Sequence, residues 1–237
     1  MKKVLSLGTG VLIVMLLLNI CCGAINTRPQ THAQITDETL NGLDLTRCEN
    51  LMIVAHPDDE TLWGGRELIE TGNYFVVCMT YGKSKTRGSD FCKNMEEIHI
   101  TPLMLNYPDK IKNQRSDWDK YKDEMVKDLD KILNAKAWNR IVTHNPDGEY
   151  GHQHHKFLNV MVASECQSKG LLNELYYFGK YYNKDEVELL EKTTSGDTLR
   201  IKKRLIRRYE INLEYLNRKF EHMYEHDSIV KCTDWNK

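Results

Sequence analysis

Leu51-Met52-Ile53-Val54-Ala55-His56-Pro57-Asp58-Asp59-Glu60 is a short apolar run that stops abruptly at imidazole and carboxylate side chains. Five apolar residues closed by a turn signal read as a buried strand. Residues 62–70 then offer a helix, with Thr71-Gly72-Asn73 as its stop and turn. Residues 74–81, rich in β-branched and aromatic side chains, predict a second strand, and 103–107 a third. From Trp118 the apolar positions Tyr121, Met125, Leu129, Ile132 and Leu133 step by three and four, the period of an amphipathic helix. Arg140-Ile141-Val142-Thr143 returns as a strand, and 151–166 as a helix. Strands alternating with helices predict an α/β fold of three layers, a mostly parallel sheet between helices, in one domain at about 40–230.

The last stretch, 197–227, predicts a single helix with Ile201, Leu205, Tyr209, Leu216, Phe220 and Met223 on one stripe. Its cluster of Lys202, Lys203, Arg204, Arg207 and Arg208 reads as a solvated helix face. Over 237 residues, 33 Lys and Arg against 34 Asp and Glu leave a formal charge of −1, which excludes the electrostatic footprint of a nucleic-acid binder. Any ligand must be read by a local site.

The N-terminus differs in character. Lys2 and Lys3 precede an uncharged run, residues 4–25, that just reaches the roughly 20 residues needed to span a bilayer. Residues 1–25 therefore predict a cleaved signal peptide or a membrane anchor. With the positive end held in the cytoplasm, either places the domain on the far side of the membrane. Cys48, Cys78, Cys92, Cys166 and Cys232 lie beyond this segment with no C-x-x-C spacing, and predict thiols with room for one or two disulfides.

In open parallel sheets, ligands bind where loops leave the carboxyl ends of the strands. Two such loops are chemically loaded: His56 to Glu60, and His144-Asn145-Pro146-Asp147-Gly148-Glu149-Tyr150-Gly151-His152-Gln153-His154-His155. A catalytic zinc takes three ligands from His and carboxylate and keeps one position for water. His56 and Asp59 can close on one ion from a tight turn. His152 and His155, three apart, face the same way on a first helical turn, and the spacing alone leaves open which of them binds. Asp58, between the candidate ligands, is the natural base, with Tyr150 and His152 as candidates to steady an oxyanion. His144 and His154 read as rim or solvent-facing residues, and Glu60 as structural support.

The pairing of Ala55-His56-Pro57-Asp58-Asp59-Glu60 with Gly148-Glu149-Tyr150-Gly151-His152-Gln153-His154-His155 resembles the LmbE/PIG-L family of zinc de-N-acetylases, over about residues 51–163. The resemblance implies a Rossmann-like fold, zinc held by His56, Asp59 and His155, and Asp58 as general base. It implies further that His152 is the charged or proton-donating histidine beside the scissile carbonyl and that Tyr150 donates to the oxyanion. The implied substrate is an N-acetylglucosamine-type sugar or glycoconjugate that loses its acetyl group. Ferrous iron suits the same donors. Two other readings stay open: the same chemistry on a non-sugar N-acyl compound, and a non-catalytic metal- or sugar-binding module. One departure is plain, since Arg207-Arg208-Tyr209-Glu210-Ile211 stands where relatives often carry a Ser-Gln pair. Asp109, after Tyr107-Pro108, matches an acidic loop residue of some relatives only weakly.

Overall fold

Successive side chains of β1 (Asn50–Val54) point to opposite faces of a sheet, and both directions end in apolar core: Leu51 and Ile53 in one layer, Met52 and Val54 in the other. A strand buried on both faces belongs at the centre of a parallel sheet. The computed structural model, which describes residues 33–236, puts it there. With β2 (Tyr74–Thr80), β3 (Thr101–Tyr107), β4 (Arg140–Thr143), β5 (Leu175–Phe178) and β6 (Ile229–Lys231), the sheet runs β3-β2-β1-β4-β5-β6. All neighbours pair in parallel except β5 and β6, which are antiparallel. In register, Leu51 stands beside Phe75 on one side and Ile141 on the other.

Helices α1 (Asp59–Thr71) and α2 (Arg87–Glu97) cover one face through Leu62, Leu68, Phe91 and Met95. The opposite face receives α3 (Lys122–Asn134) and α4 (Gln153–Ser168) through Leu129, Ile132, Leu158 and Val162. The chain thus winds outward from β1 to β3 on one face, then returns to β4, on β1's other side, with its helices on the second face. Where the order reverses, the loops after β1 and β4 diverge and leave a crevice at their carboxyl ends. The expected three-layer, mostly parallel architecture is the one observed, and residues 33–236 cluster as one compact unit.

The tail departs from expectation. In place of one helix over 197–227, α5 (Gly196–Arg208) and α6 (Leu213–Phe220) are separated at Tyr209, which leaves helical geometry at φ −76°, ψ 53°. The break turns Tyr209 inward, fully buried, so that its hydroxyl donates to Glu60 Oε1 at 2.6 Å. Nor is the basic cluster wholly solvated: Lys202 is buried against Asp227 at 3.0 Å. Its stem lies over Gly65 of α1, where a Cβ would come within 3.2 Å of it. The sequence reading had no counterpart for α2, β5 or β6. All five domain cysteines are unpaired. Among the described residues no helix is long and apolar enough to cross a membrane, and the run 4–25 lies outside them.

Candidate active site and metal centre

The turn after β1 is built by its own polar atoms. The His56 amide donates to Asp59 Oδ2 at 2.8 Å, and the Asp59 amide to the His56 carbonyl at 3.3 Å, folding Asp59 back beneath the His56 ring. Asp58 between them takes φ 114°, a conformation L-residues rarely adopt and one that costs on the order of 1–3 kcal/mol. Glu60 stabilises it from below: its fully buried Oε2 accepts the Asp58 amide at 3.0 Å, while Oε1 accepts the hydroxyls of Thr61 and Tyr209. Burial pushes the Glu60 carboxyl up to about 7 despite these donors.

The loop after β4 is held by Asn145 and Glu149, which exchange backbone-to-side-chain bonds at 3.0 Å in both directions. Glu149, at φ 53°, sends its carboxylate inward, where Oε2 meets Nδ1 of His144 at 2.9 Å and Nδ1 of His155. With Nδ1 of His155 engaged, its Nε2 faces the other loop. It lies 3.3 Å from Asp59 Oδ2 and 3.4 Å from His56 Nδ1, and His56 Nδ1 is 3.2 Å from Asp59 Oδ2. Donors about 2.0–2.1 Å from an ion at tetrahedral angles stand about 3.3–3.4 Å apart. The three atoms fit such an ion. Burial opposes the charge on Asp59, but His155 and His144 outweigh it and hold its carboxyl well below the usual carboxylate range.

Other trios also fall within 4.8 Å, namely His56 with His152 and His155, Asp59 with His144 and His155, and His56 with Asp109 and His154. The last carries a competing cation, since Arg115 Nη1 sits 3.0 Å from Asp109 Oδ1. In the second, the Ala55 amide donates to His144 Nε2 at 3.0 Å and occupies its lone pair.

Beside the triangle opens a cleft of about 490 Å3. His56, Asp58, Asp59, Tyr150 and His152 all line it, so five of the six residues singled out by sequence share one wall system, with His155 fully buried behind. Asp58 Oδ2 receives Arg87 Nη2 at 2.7 Å; burial nevertheless raises the Asp58 carboxyl above its ordinary range. His152 is the N-cap of α4 in an extended conformation, not a first-turn residue, yet its ring stands 4.3 Å from that of His155. Its Nδ1 is buried and meets no partner among the described residues. Burial, then His155 and His56, push its pKa well below the histidine range. The Tyr150 ring packs 4.8 Å from Phe220 of α6, with Lys219 Nζ 3.7 Å above it.

His144 and His154 are corrections. Neither is at a rim: both are fully buried, His144 stacked 3.8 Å from His155 and His154 stacked 4.0 Å from Trp118. Sequence reasoning also missed Arg87 and the role of Glu149. Asp109 does reach the site, with Oδ1 3.4 Å from His56 Nε2.

Residues 51–165 match the family model described as PIG-L, GlcNAc-PI de-N-acetylase. They are a PIG-L family domain. The PIG-L match begins at β1 and ends within α4, so it contains both loaded loops. An uncharacterized protein of Acanthamoeba polyphaga mimivirus is 31% identical over 132 residues, which is 49% of this chain and 57% of that protein. The match thus spans little more than half of that relative's length. Among solved structures, the pseudoaglycone deacetylase Dbv21 aligns with a TM-score of 0.58 at 12% identity, over 76% of this chain and 90% of its own. At that identity the likeness is one of fold. The 4-carboxy-2-hydroxymuconate hydratase GalB of Pseudomonas putida gives 0.48 at 14% identity, over 75% and 82%.

Proposed function

We propose that this protein is a zinc-dependent hydrolase that removes the acetyl group from an N-acetylglucosamine-type substrate, releasing acetate and a free amine. The observation that carries the reading is the triangle of His56 Nδ1, Asp59 Oδ2 and His155 Nε2, 3.2–3.4 Å on each edge, beside the Asp58 carboxylate in an open cleft. Bound there, the ion supplies Lewis acidity toward the amide carbonyl and acidifies water; ferrous iron suits the same donors.

The chain's residues do the rest. Arg87 occupies Asp58 Oδ2, so Asp58 takes the proton of the attacking water on its other oxygen, and its raised pKa suits it to that task. The water oxygen bonds to the carbonyl carbon. Tyr150 and the neutral imidazole of His152 donate to the oxygen on which charge develops. When the C–N bond breaks, Asp58 returns its proton to the leaving nitrogen, and acetate remains. Arg87, Asp109, Lys110 and Arg115 line the cleft as polar partners for sugar hydroxyls, and Ile211, Tyr215, Leu216 and Phe220 add apolar lining. The volume suits one sugar unit with part of the group it carries.

The test is release of primary amine and acetate from a panel of N-acetylglucosaminyl compounds, with and without chelator. Chelator-sensitive release supports the reading. Release from non-sugar N-acyl compounds alone moves the substrate class, and metal-loaded protein that releases nothing is a binding module. We further propose that the run 4–25 exports or anchors the domain, which predicts that the full chain sediments with membranes; full chain found wholly in the cytosol rejects this.

A further inference from the structure

We infer that His154 is a positioning residue that fixes which nitrogen of His56 faces the metal; the inference rests on the metal-amidase reading above. A chain of contacts fixes where the hydrogens lie. The Ser116 carbonyl oxygen can only accept, so His154 Nε2, 2.9 Å away, carries a hydrogen. His154 Nδ1 has no carboxylate within hydrogen-bond reach, Asp109 Oδ1 lying at 3.6 Å and held by Arg115 at 3.0 Å. The ring is fully buried and stacked on Trp118 at 4.0 Å with an interplanar angle of 8°. It is therefore neutral, and Nδ1 presents a lone pair.

That lone pair sits 3.1 Å from His56 Nε2. Two lone pairs at this distance repel, so His56 Nε2 carries a hydrogen and donates it, with Asp109 Oδ1 at 3.4 Å as a weaker second acceptor. Nδ1 of His56 is then left unprotonated, facing Asp59 Oδ2 and His155 Nε2. A backbone carbonyl 60 positions away thus selects the tautomer of His56 through a buried imidazole. Glu149 does the same for His155 directly, through Nδ1. Histidine ligands are commonly oriented by a carboxylate, carbonyl or water on their second nitrogen, and losing that partner typically weakens metal binding about 10- to 100-fold.

The test compares Zn2+ affinity, by competition with a chromophoric chelator, in the full chain and two variants. His154→Phe keeps a ring to stack on Trp118 but has no acceptor. His154→Asn keeps an acceptor near the place of Nδ1 but loses the stack. The expected result is about a 10- to 100-fold loss in the Phe variant and recovery of most of it in the Asn variant. Thermal unfolding of the metal-free proteins should rank the other way, with Asn below Phe, a crossing that a packing role cannot produce. Should the Phe variant fail to fold, His154→Leu replaces it. Phe affinity within about 3-fold of wild type overturns the inference, as do Phe and Asn losing affinity alike. A fall from two bound ions to one overturns it too, because His56, Asp109 and His154 would then hold a second ion. Wild-type protein that binds no divalent ion rejects the metal-amidase reading itself, a different outcome from equal affinities.

Discussion

Asp58 carries three constraints at once: a φ of 114°, an ion pair with Arg87 at 2.7 Å, and a place on the cleft wall beside the metal triangle. Replacing it by Asn preserves its size and its acceptor for Arg87 while removing basicity, and leaves His56, Asp59 and His155 untouched. Metal content should survive. General-base assistance is typically worth about 10²- to 10⁴-fold, so turnover should fall by that much with little change in KM, as steady-state kinetics beside elemental analysis would show. Near-normal turnover would assign the base to another group, and loss of metal would make Asp58 a ligand. At this scale the sequence was legible wherever a short turn does the work. His56 and Asp59 are three apart, and their own backbone bonds close them together. His144 and His154 were illegible because polarity marks a loop as wet by default. Nothing local reveals that Phe178 stands 5.4 Å from one ring and Trp118 4.0 Å from the other.

Between elements, the decisive contact joins the break between α5 and α6 to the first turn of α1. Tyr209 reaches Glu60, and Glu60 holds the amide of Asp58. Tyr209→Phe leaves that buried carboxyl one donor short, and should lower unfolding free energy by about 1–2 kcal/mol in denaturant titrations with the slope unchanged. A pH signature goes with it. The Glu60 pKa rises from 4.5 to about 7 because of burial. Its favourable contribution is therefore fully present below 4.5 and is lost as pH rises through about 7. Glu60→Gln cannot titrate, so the stability difference between wild type and variant should drift against the wild type across that window; parallel curves would refute it. The stripe from Ile201 to Met223 hid the break, since its period continues across Tyr209 while the chain does not. Helix α2 was hidden for the opposite reason. Phe91 and Met95 are its only buried large apolar residues, too thin a stripe to stand out among Gly88, Asp90, Lys93 and Asn94. Arg87, at its first position, went unread with it. Strand β6, three residues long, is below the length at which period alone separates strand from coil.

For the molecule as a whole, the candidate centre straddles the point where the sheet reverses direction. Its donors come from two loops whose parent strands pair in register, Ile53 beside Thr143. An ion there binds the folded chain and not the unfolded one, so loading should raise stability by about 2.7 kcal/mol at an ion concentration 100-fold above Kd. Thermal melts with and without chelator should show the shift in wild type and none in Asp59→Ala; a shift retained in that variant would move the ion elsewhere. The alternation of strand and helix was legible because each central strand is apolar on both faces. Which strand flanks β1 was not, because the order of strands in a sheet is a property of long-range pairing. That long range also sets a clock. His56 and His155 are 99 positions apart, so a chain leaving the ribosome at about 5–20 residues per second offers one loop for several seconds before the other exists. During that interval His56 and Asp59 can hold an ion only loosely. On the metal-amidase reading, the ion would be taken up by a nearly finished chain, after β4 has come to rest against β1.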